Sequence, residues 1–348
     1  MSDRSRRTGT RVAPTGSSAR DPRASRGRVL IVGLGRSGTT WSAGALSLAR
    51  GAFLVNEPDQ PRRDAFAFRA VRPLHAGFFP ALDPEDQAPD YERLWEGAFV
   101  PRPPRTARID RLRRRFADGW FAGAARPDID RAFGANGARR ISPRLFAART
   151  LALPPRVMPW VRVPVAKSVN AAFALEWIEQ RWSPSILIVL RNPLNVLASR
   201  LELKGNPLLD PTPGIRTQFE RLFGRDLPAK GESRTLSVAW KVALVTSVLQ
   251  AKAAAQPGWR LVTHEWMCED PAARFRDVCD SLGLVWSDDI DRFLDEHNTP
   301  GSGYGVSRVA SEQRDRWRAR LTDEQVAEAR SVLDSFPIDW SAFGGAPW

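Results

Sequence analysis

Apolar residues fall into two regular regions of the chain with an irregular one between them. Val29 to Val32 is an unbroken, largely β-branched run, the pattern of a strand buried on both faces. Gly33, Gly35 and Gly38 then punctuate a turn, and Thr40 to Arg50 has helical spacing with Trp41, Ala45, Leu48 and Ala49 on one side. Ala52 to Val55 is a second short strand, ended by Asn56-Glu57-Pro58. From Asp59 to about Pro159 the chain is rich in proline and arginine. Aromatic islands mark it at Phe78-Phe79, Trp95, Phe99 and Trp120-Phe121, and one basic helix is predicted over Arg108 to Phe121.

Regularity returns with a run from Val161 to Ala166, then Lys167-Ser168, then a helix over Asn170 to Arg181. Ser185 to Leu190 is the clearest strand, and Arg191-Asn192-Pro193 follows it, with Pro193 suited to a first helical turn. Further elements are a helix over about Leu236 to Ala255, a strand over Trp259 to His264 and a helix over Asp270 to Leu282. Thr322-x-x-Gln325 reads as a capping box for a last helix over about Asp323 to Ser335. Buried strands alternating with helices predict an α/β fold, with a central parallel sheet flanked by helices. In such a sheet ligands sit past the carboxyl ends of the strands, which puts Glu57 beside the glycine turn if the first two strands are neighbours.

The 348 residues, with 43% hydrophobic content and 13 tryptophans, suit a folded chain with a large core, in one domain or two smaller ones. No run of eighteen apolar residues occurs, so no transmembrane helix is expected. The basic start lacks a following apolar segment, so no secretory signal is expected, and residues 1–27 read as a disordered tail. Two cysteines, Cys268 and Cys279, suit a reducing, cytoplasmic setting, and three scattered histidines give a metal site little to work with.

The net charge of +13 is concentrated. Residues 1–28 carry eight arginines against two aspartates, and residues 101–150 carry thirteen against four. Such segments attract nucleic acid or an anionic membrane surface. The internal one has no nucleic-acid motif, so a nucleic-acid partner is not expected. An enzyme of multiply anionic ligands would also profit from this field.

A strand, a glycine-rich turn and a helix start form an anion site, because amide N–H groups converge there and the helix dipole adds positive potential. Gly33-x-x-x-x-Gly38 has nucleotide P-loop spacing, but Thr39 stands where that loop carries its lysine, and the cation is Arg36, inside the turn. Arg36-Ser37-Gly38-Thr39-Thr40-Trp41 resembles the phosphosulfate loop of the sulfotransferases that use 3′-phosphoadenylyl sulfate (PAPS). Arg191-Asn192-Pro193, with Ser199 in the next helix, resembles that family's 3′-phosphate motif, Asn192 standing where aspartate is usual. His264-Glu265 with Asp270-Pro271 is similar to a third family element, and Ser307 and Arg308, with Arg314 behind them, to a late cofactor-covering loop.

The resemblance implies a three-layer, P-loop-like sulfotransferase domain over 28–348, with 59–159 as an acceptor-binding insertion. Its donor would be PAPS, its product 3′-phosphoadenosine 5′-phosphate (PAP), and no metal would be needed. Arg36, Ser37, Gly38, Thr39, Thr40, Trp41, Arg191, Ser199, Ser307 and Arg308 would bind that donor, with Lys167 and Arg36 stabilising the leaving phosphate. The family's usual histidine, two residues after the lysine, is Val169 here, so Glu57 is the expected base, as in the branch with a glutamate after the second strand, and His75 is its reserve. The acceptor would be a hydroxyl on a carbohydrate, lipid or small molecule; the oligomeric state is not legible. Two alternatives remain open: a kinase of this loop type using ATP-Mg, and a non-catalytic anion- or nucleic-acid-binding protein.

Overall fold

The computed structural model describes residues 27–74, 79–102, 107–133, 141–203, 211–301 and 309–347. Five parallel strands form one sheet: β1 (Val29–Val32), β2 (Ala52–Asn56), β3 (Val163–Ser168), β4 (Ser185–Leu190) and β5 (Arg260–Thr263), in the order β2-β3-β1-β4-β5. β1 is central, its Ile31 opposite Lys167 of β3 and Leu187 of β4.

The continuous apolar runs follow from burial on both faces. Leu30 and Val32 of β1 join Ile186, Ile188 and Leu190 in the core on one side. Val29 and Ile31 join Val165, Leu187 and Val189 on the other. The second face is covered by α1 (Thr39–Leu46), α12 (Pro271–Leu282) and α13 (Asp288–His297), which contribute Leu46, Phe275, Cys279 and Ile290. The first face carries the larger core, from α2 (Ala65–Val71), α3 (Pro89–Phe99), α7 (Leu175–Trp182), α8 (Pro193–Glu202) and α10 (Arg234–Ala255). Sheet and two helical layers make the three-layer α/β architecture that the sequence predicts.

The segment 59–159 is more regular than its composition predicts. Besides α2 and α3 it holds α4 (Ala107–Ala122), α5 (Arg126–Phe133) and α6 (Pro143–Leu151). Its aromatic islands supply the order: Trp95 stacks on Phe99 at 5.4 Å, and Tyr91 lies 5.5 Å from Trp177 of α7. Phe121 is buried, whereas Trp120 beside it is exposed.

The helix expected over 170–181 splits into a short 3-10 turn, Ala171–Phe173, and α7. α9 (Pro213–Phe223), α11 (His264–Glu269) and α13 are additions to the sequence reading, while α14 (Asp323–Leu333) begins on the expected Thr322–Gln325 capping box.

Burial ranks the substitutions. Ile31 is fully buried, so Ile31→Ala is expected to cost about 2–5 kcal/mol. Val285 is 58% exposed, and Val285→Ala should change stability by less than about 0.5 kcal/mol. Urea unfolding midpoints of the two variants test this contrast, and equal losses would contradict the two-faced burial of β1.

Candidate active site at the carboxyl edge of the sheet

In an all-parallel sheet every strand ends on the same edge, and here each of the five delivers a polar group there. The glycine turn follows β1, Glu57 follows β2, Lys167 is the second-to-last residue of β3, Arg191 follows β4, and His264-Glu265 follows β5. The chain crosses from one side of β1 to the other between β3 and β4, and this switch point is where open α/β sheets bind their ligands.

The turn after β1 is held in a left-handed conformation at two residues, Arg36 (φ 84°) and Gly38 (φ 96°). Glycine at 38 is required twice over: by φ, and because a Cβ would lie 2.4 Å from the His264 ring. Gly33 has its own constraint, since a Cβ there would lie 2.2 Å from the Val189 carbonyl oxygen. Arg36 is not glycine, and its strained backbone is fixed from outside. Its Nε donates to Ser199 Oγ at 2.9 Å, and its carbonyl oxygen accepts from Arg191 Nη1 at 3.4 Å. Three residues singled out from separate parts of the sequence therefore meet in one cluster. The Ser37 hydroxyl is buried here with no hydrogen-bond partner. Thr39 is buried in the first turn of α1, and Thr40 is exposed. Trp41 packs edge-on against Phe275 at 4.8 Å and lines a cleft of about 190 Å³ with Asp270, Leu294, His297 and Ala310.

Arg191 presents a fork with both terminal nitrogens in use, Nη1 on the Arg36 carbonyl, and its Nε left over. Nη2 donates to Gln313 at 3.3 Å, while Nε is buried without a hydrogen bond, 3.9 Å from Glu265. Burial pushes Arg191 down to about 10 from its ordinary value, with Glu265 opposing the shift. Glu265 is tied to the next helix, accepting from the Asn192 amide at 3.1 Å and from Asn195 Nδ2 at 3.2 Å. This accounts for Asn192 in place of aspartate. Its Oδ1 caps α8 by accepting from the Leu194 amide at 2.9 Å, and an aspartate would add a second buried carboxylate next to Glu265. Arg314 enters this cluster through its carbonyl oxygen, which accepts from Asn195 at 2.7 Å.

Glu57 is placed differently from the sequence expectation. Strands β1 and β2 are not neighbours, because β3 lies between them, and Glu57 meets the end of β3. Lys167 Nζ donates to Glu57 Oε1, and the Glu57 amide donates to the Lys167 carbonyl at 2.7 Å. Arg63, on the solvent side, approaches Glu57 Oε2 at 3.2 Å. Glu57 is the second non-glycine left-handed residue of this edge (φ 48°). Lys167 is only 2% exposed, and burial lowers its pKa against the opposing pull of Glu57. Val169, two residues after Lys167, is the part of this segment near the glycine turn: its Cγ1 lies 4.0 Å from where a Gly35 Cβ would stand.

Two buried groups escaped the sequence reading. Asp59 is fully buried and accepts from Ser168 Oγ at 2.8 and 2.7 Å and from the Tyr91 hydroxyl at 3.3 Å. Lys241 of α10 lies 4.5 Å from the Phe79 ring centre, and burial, then the charges of Arg200 and Arg62, push it well below its usual range. Neither belongs to a local motif; only burial exposes them. Three expected residues, His75, Ser307 and Arg308, lie outside the described residues. Among the described residues no group of three or more His, Cys, Asp or Glu is placed to hold a metal ion.

Asp59 links this edge to pH. Burial raises it from 3.8 to about 7, with the Glu57 charge adding to the rise and Ser168 opposing it. The folded state thus holds the proton more tightly than the unfolded chain. The stability so gained is complete below about pH 4 and lost as pH rises through about 7. Asp59→Asn keeps an acceptor for Ser168 and is expected to flatten the fall in stability between pH 5 and pH 8. Urea midpoints at both pH values check this; an unchanged slope would contradict it.

No protein-family model and no curated protein matches the sequence. Among solved structures, the chain is similar to a sulfotransferase domain from the curacin biosynthetic pathway, at 12% identity and a TM-score of 0.39, over 90% of this chain and 99% of that one. It is similar to retinol dehydratase, solved with retinol and PAP, at 15% identity and a TM-score of 0.38, over 90% and 83% of the two chains. A third is the sulfotransferase STF9 from Mycobacterium avium, at 14% identity and a TM-score of 0.34, over 90% and 78%.

Proposed function

We propose that the chain is a sulfotransferase that moves a sulfuryl group from PAPS to the hydroxyl of an acceptor, as one domain over 28–348 in which 59–159 shapes the acceptor side. The observation that carries this reading is the meeting of Arg36, Arg191 and Ser199 at the glycine turn. Arg191 Nε and Ser37 Oγ, buried there without hydrogen bonds, are what an oxyanion ligand would satisfy. Thr39 in the lysine position, and an arginine where a metal-binding aspartate would end the inner strand, speak against an ATP-Mg kinase.

PAPS supplies a sulfuryl group whose S–O bond to the 5′-phosphate breaks as the acceptor oxygen bonds to sulfur, and PAP leaves with the electron pair. The amides of Arg36 and of 38–40 and the α1 dipole would hold the 5′-phosphate, with Arg191 and Ser199 on the 3′-phosphate. The Arg36 guanidinium, expected on the leaving phosphate, would join these two instead, because its Nε donates to Ser199. Trp41 would offer its ring to the purine from the cleft it lines. Lys167 would steady the negative charge on the leaving oxygen, and Glu57 would take the acceptor proton. Glu57 is held by two cations, Lys167 and Arg63. In this reading Lys167 turns from Glu57 to the donor, which leaves Glu57 Oε1 open to the acceptor hydroxyl. Free Cys268 and Cys279 accord with a cytoplasmic setting.

Calorimetry with 3′,5′-ADP and with ATP plus Mg²⁺ tests the reading: tighter binding of 3′,5′-ADP is expected, and preference for ATP-Mg would overturn it. Arg191→Ala should weaken 3′,5′-ADP about 10- to 100-fold, and 5′-AMP by less than about threefold. Equal losses would move the 3′-phosphate elsewhere. With any hydroxyl compound that supports turnover of labelled PAPS, Glu57→Gln should lower kcat about 10²- to 10⁴-fold while leaving 3′,5′-ADP affinity intact. Unimpaired turnover would assign the proton to another group.

A further inference from the structure

Helix α4 buries one face and leaves another both apolar and outward. Its inner side is fixed to the rest of the segment: Arg114 pairs with Asp64 at 3.1 Å, Asp110 with Arg156 at 2.5 Å, and Ala117 and Phe121 are buried. On the outer side Ile109, Leu112, Phe116 and Trp120 are 64%, 59%, 59% and 47% exposed. Their spacing of three, four and four residues places them in one line along the helix. A single exposed apolar residue needs no explanation, but a line of four large ones does. Phe146, on the α6 that packs against α4, is also 54% exposed.

Arginines border this line. Arg108, Arg111, Arg113 and Arg115 are all exposed, and none forms an ion pair with a described residue. The face is thus an apolar stripe ending in Trp120, with guanidinium groups on long stems beside it.

Charge decides between occupants. The N-terminal tail, with eight arginines against two aspartates in residues 1–28, would bring like charge against like. A second copy meeting this face by a two-fold axis would set arginine against arginine. Nucleic acid would satisfy the arginines but would leave Ile109, Leu112 and Phe116 against phosphates. An anionic bilayer suits both parts: the apolar side chains enter the acyl boundary, and the arginines stay at the phosphate level. Tryptophan is at home in that interfacial layer. We propose that α4 is a membrane-surface helix that docks the protein on anionic lipid through Ile109, Leu112, Phe116 and Trp120, with Arg108, Arg111, Arg113 and Arg115 on the headgroups. It lies on the surface, and no described helix is long and apolar enough to cross a membrane.

The test is flotation of the full chain with vesicles of phosphatidylcholine alone and of phosphatidylcholine mixed with phosphatidylglycerol. Binding to the mixed vesicles at least tenfold tighter than to neutral ones is expected, and it should weaken with added salt. Ile109→Ser with Phe116→Ser should lower binding to mixed vesicles about tenfold or more. Arg111→Glu with Arg115→Glu should do the same, since each arginine near the surface accounts for about fivefold. All four positions point outward, so 3′,5′-ADP calorimetry and the urea midpoint should match the parent chain and report folding independently. Absence of binding to the mixed vesicles would overturn the proposal. So would binding that survives both double variants, which would assign it to the basic tail. A dimer in sedimentation that the serine variant dissolves, without vesicle binding, would hand the stripe to a second copy and overturn it equally.

Discussion

The structure depends on burying two basic side chains, Lys167 and Arg191, at the edge where five parallel strands end. Removing such groups from water costs several kcal/mol each unless partners and hydrogen bonds replace the solvent. One carboxylate answers each: Glu57 for Lys167, and Glu265 for Arg191. Each carboxylate residue is in turn tied to backbone. The Glu57 amide donates to the Lys167 carbonyl, and Glu265 accepts from the Asn192 amide. The positive charges are thereby fixed relative to strand ends, and the left-handed residues Arg36 and Glu57 are carried by these contacts.

From that constraint the edge divides into two halves. Around β1 and β4, Arg36, Arg191 and Ser199 gather positive charge and donors, and Arg191 Nε and Ser37 Oγ are buried there without a hydrogen bond. Around β2 and β3, Lys167, Glu57 and Asp59 form a buried cluster of ionisable groups, bounded by Ser168 and Tyr91. The segment from Lys167 to Val169 joins them, with Val169 against Gly35. The proposed function uses this division, with an oxyanion on one side and the acceptor proton on the other. Outside it, α4 shows an apolar, arginine-bordered face on the inserted segment, anchored to the residues after Glu57 through Asp64.

What was legible in the sequence is what local chemistry decides. Val29–Val32 and Ser185–Leu190 were recognisable because burial on both faces removes the polar alternation, and Thr322 with Gln325 announced α14. The glycine turn, Arg191 and Ser199 were readable as separate signals, although nothing local said that they touch across 163 residues. Strand order was not readable, and it changed the neighbour of Glu57 from the glycine turn to Lys167. Asp59 was invisible for the same reason: its partner Ser168 is 109 residues away. The helices of 59–159 were obscured because rings such as Tyr91, Trp95 and Trp177 order them through tertiary contacts more than through a helical repeat.

The most direct test of the central claim is a diffraction measurement on crystals grown with 3′,5′-ADP. The account predicts the 5′-phosphate on the amides of Arg36 and of residues 38–40 and the 3′-phosphate against Arg191 and Ser199, with the purine beside Trp41. A ligand seated elsewhere, or one whose 3′-phosphate faces solvent while Arg191 keeps its contacts to Gln313 and Arg36, would contradict it.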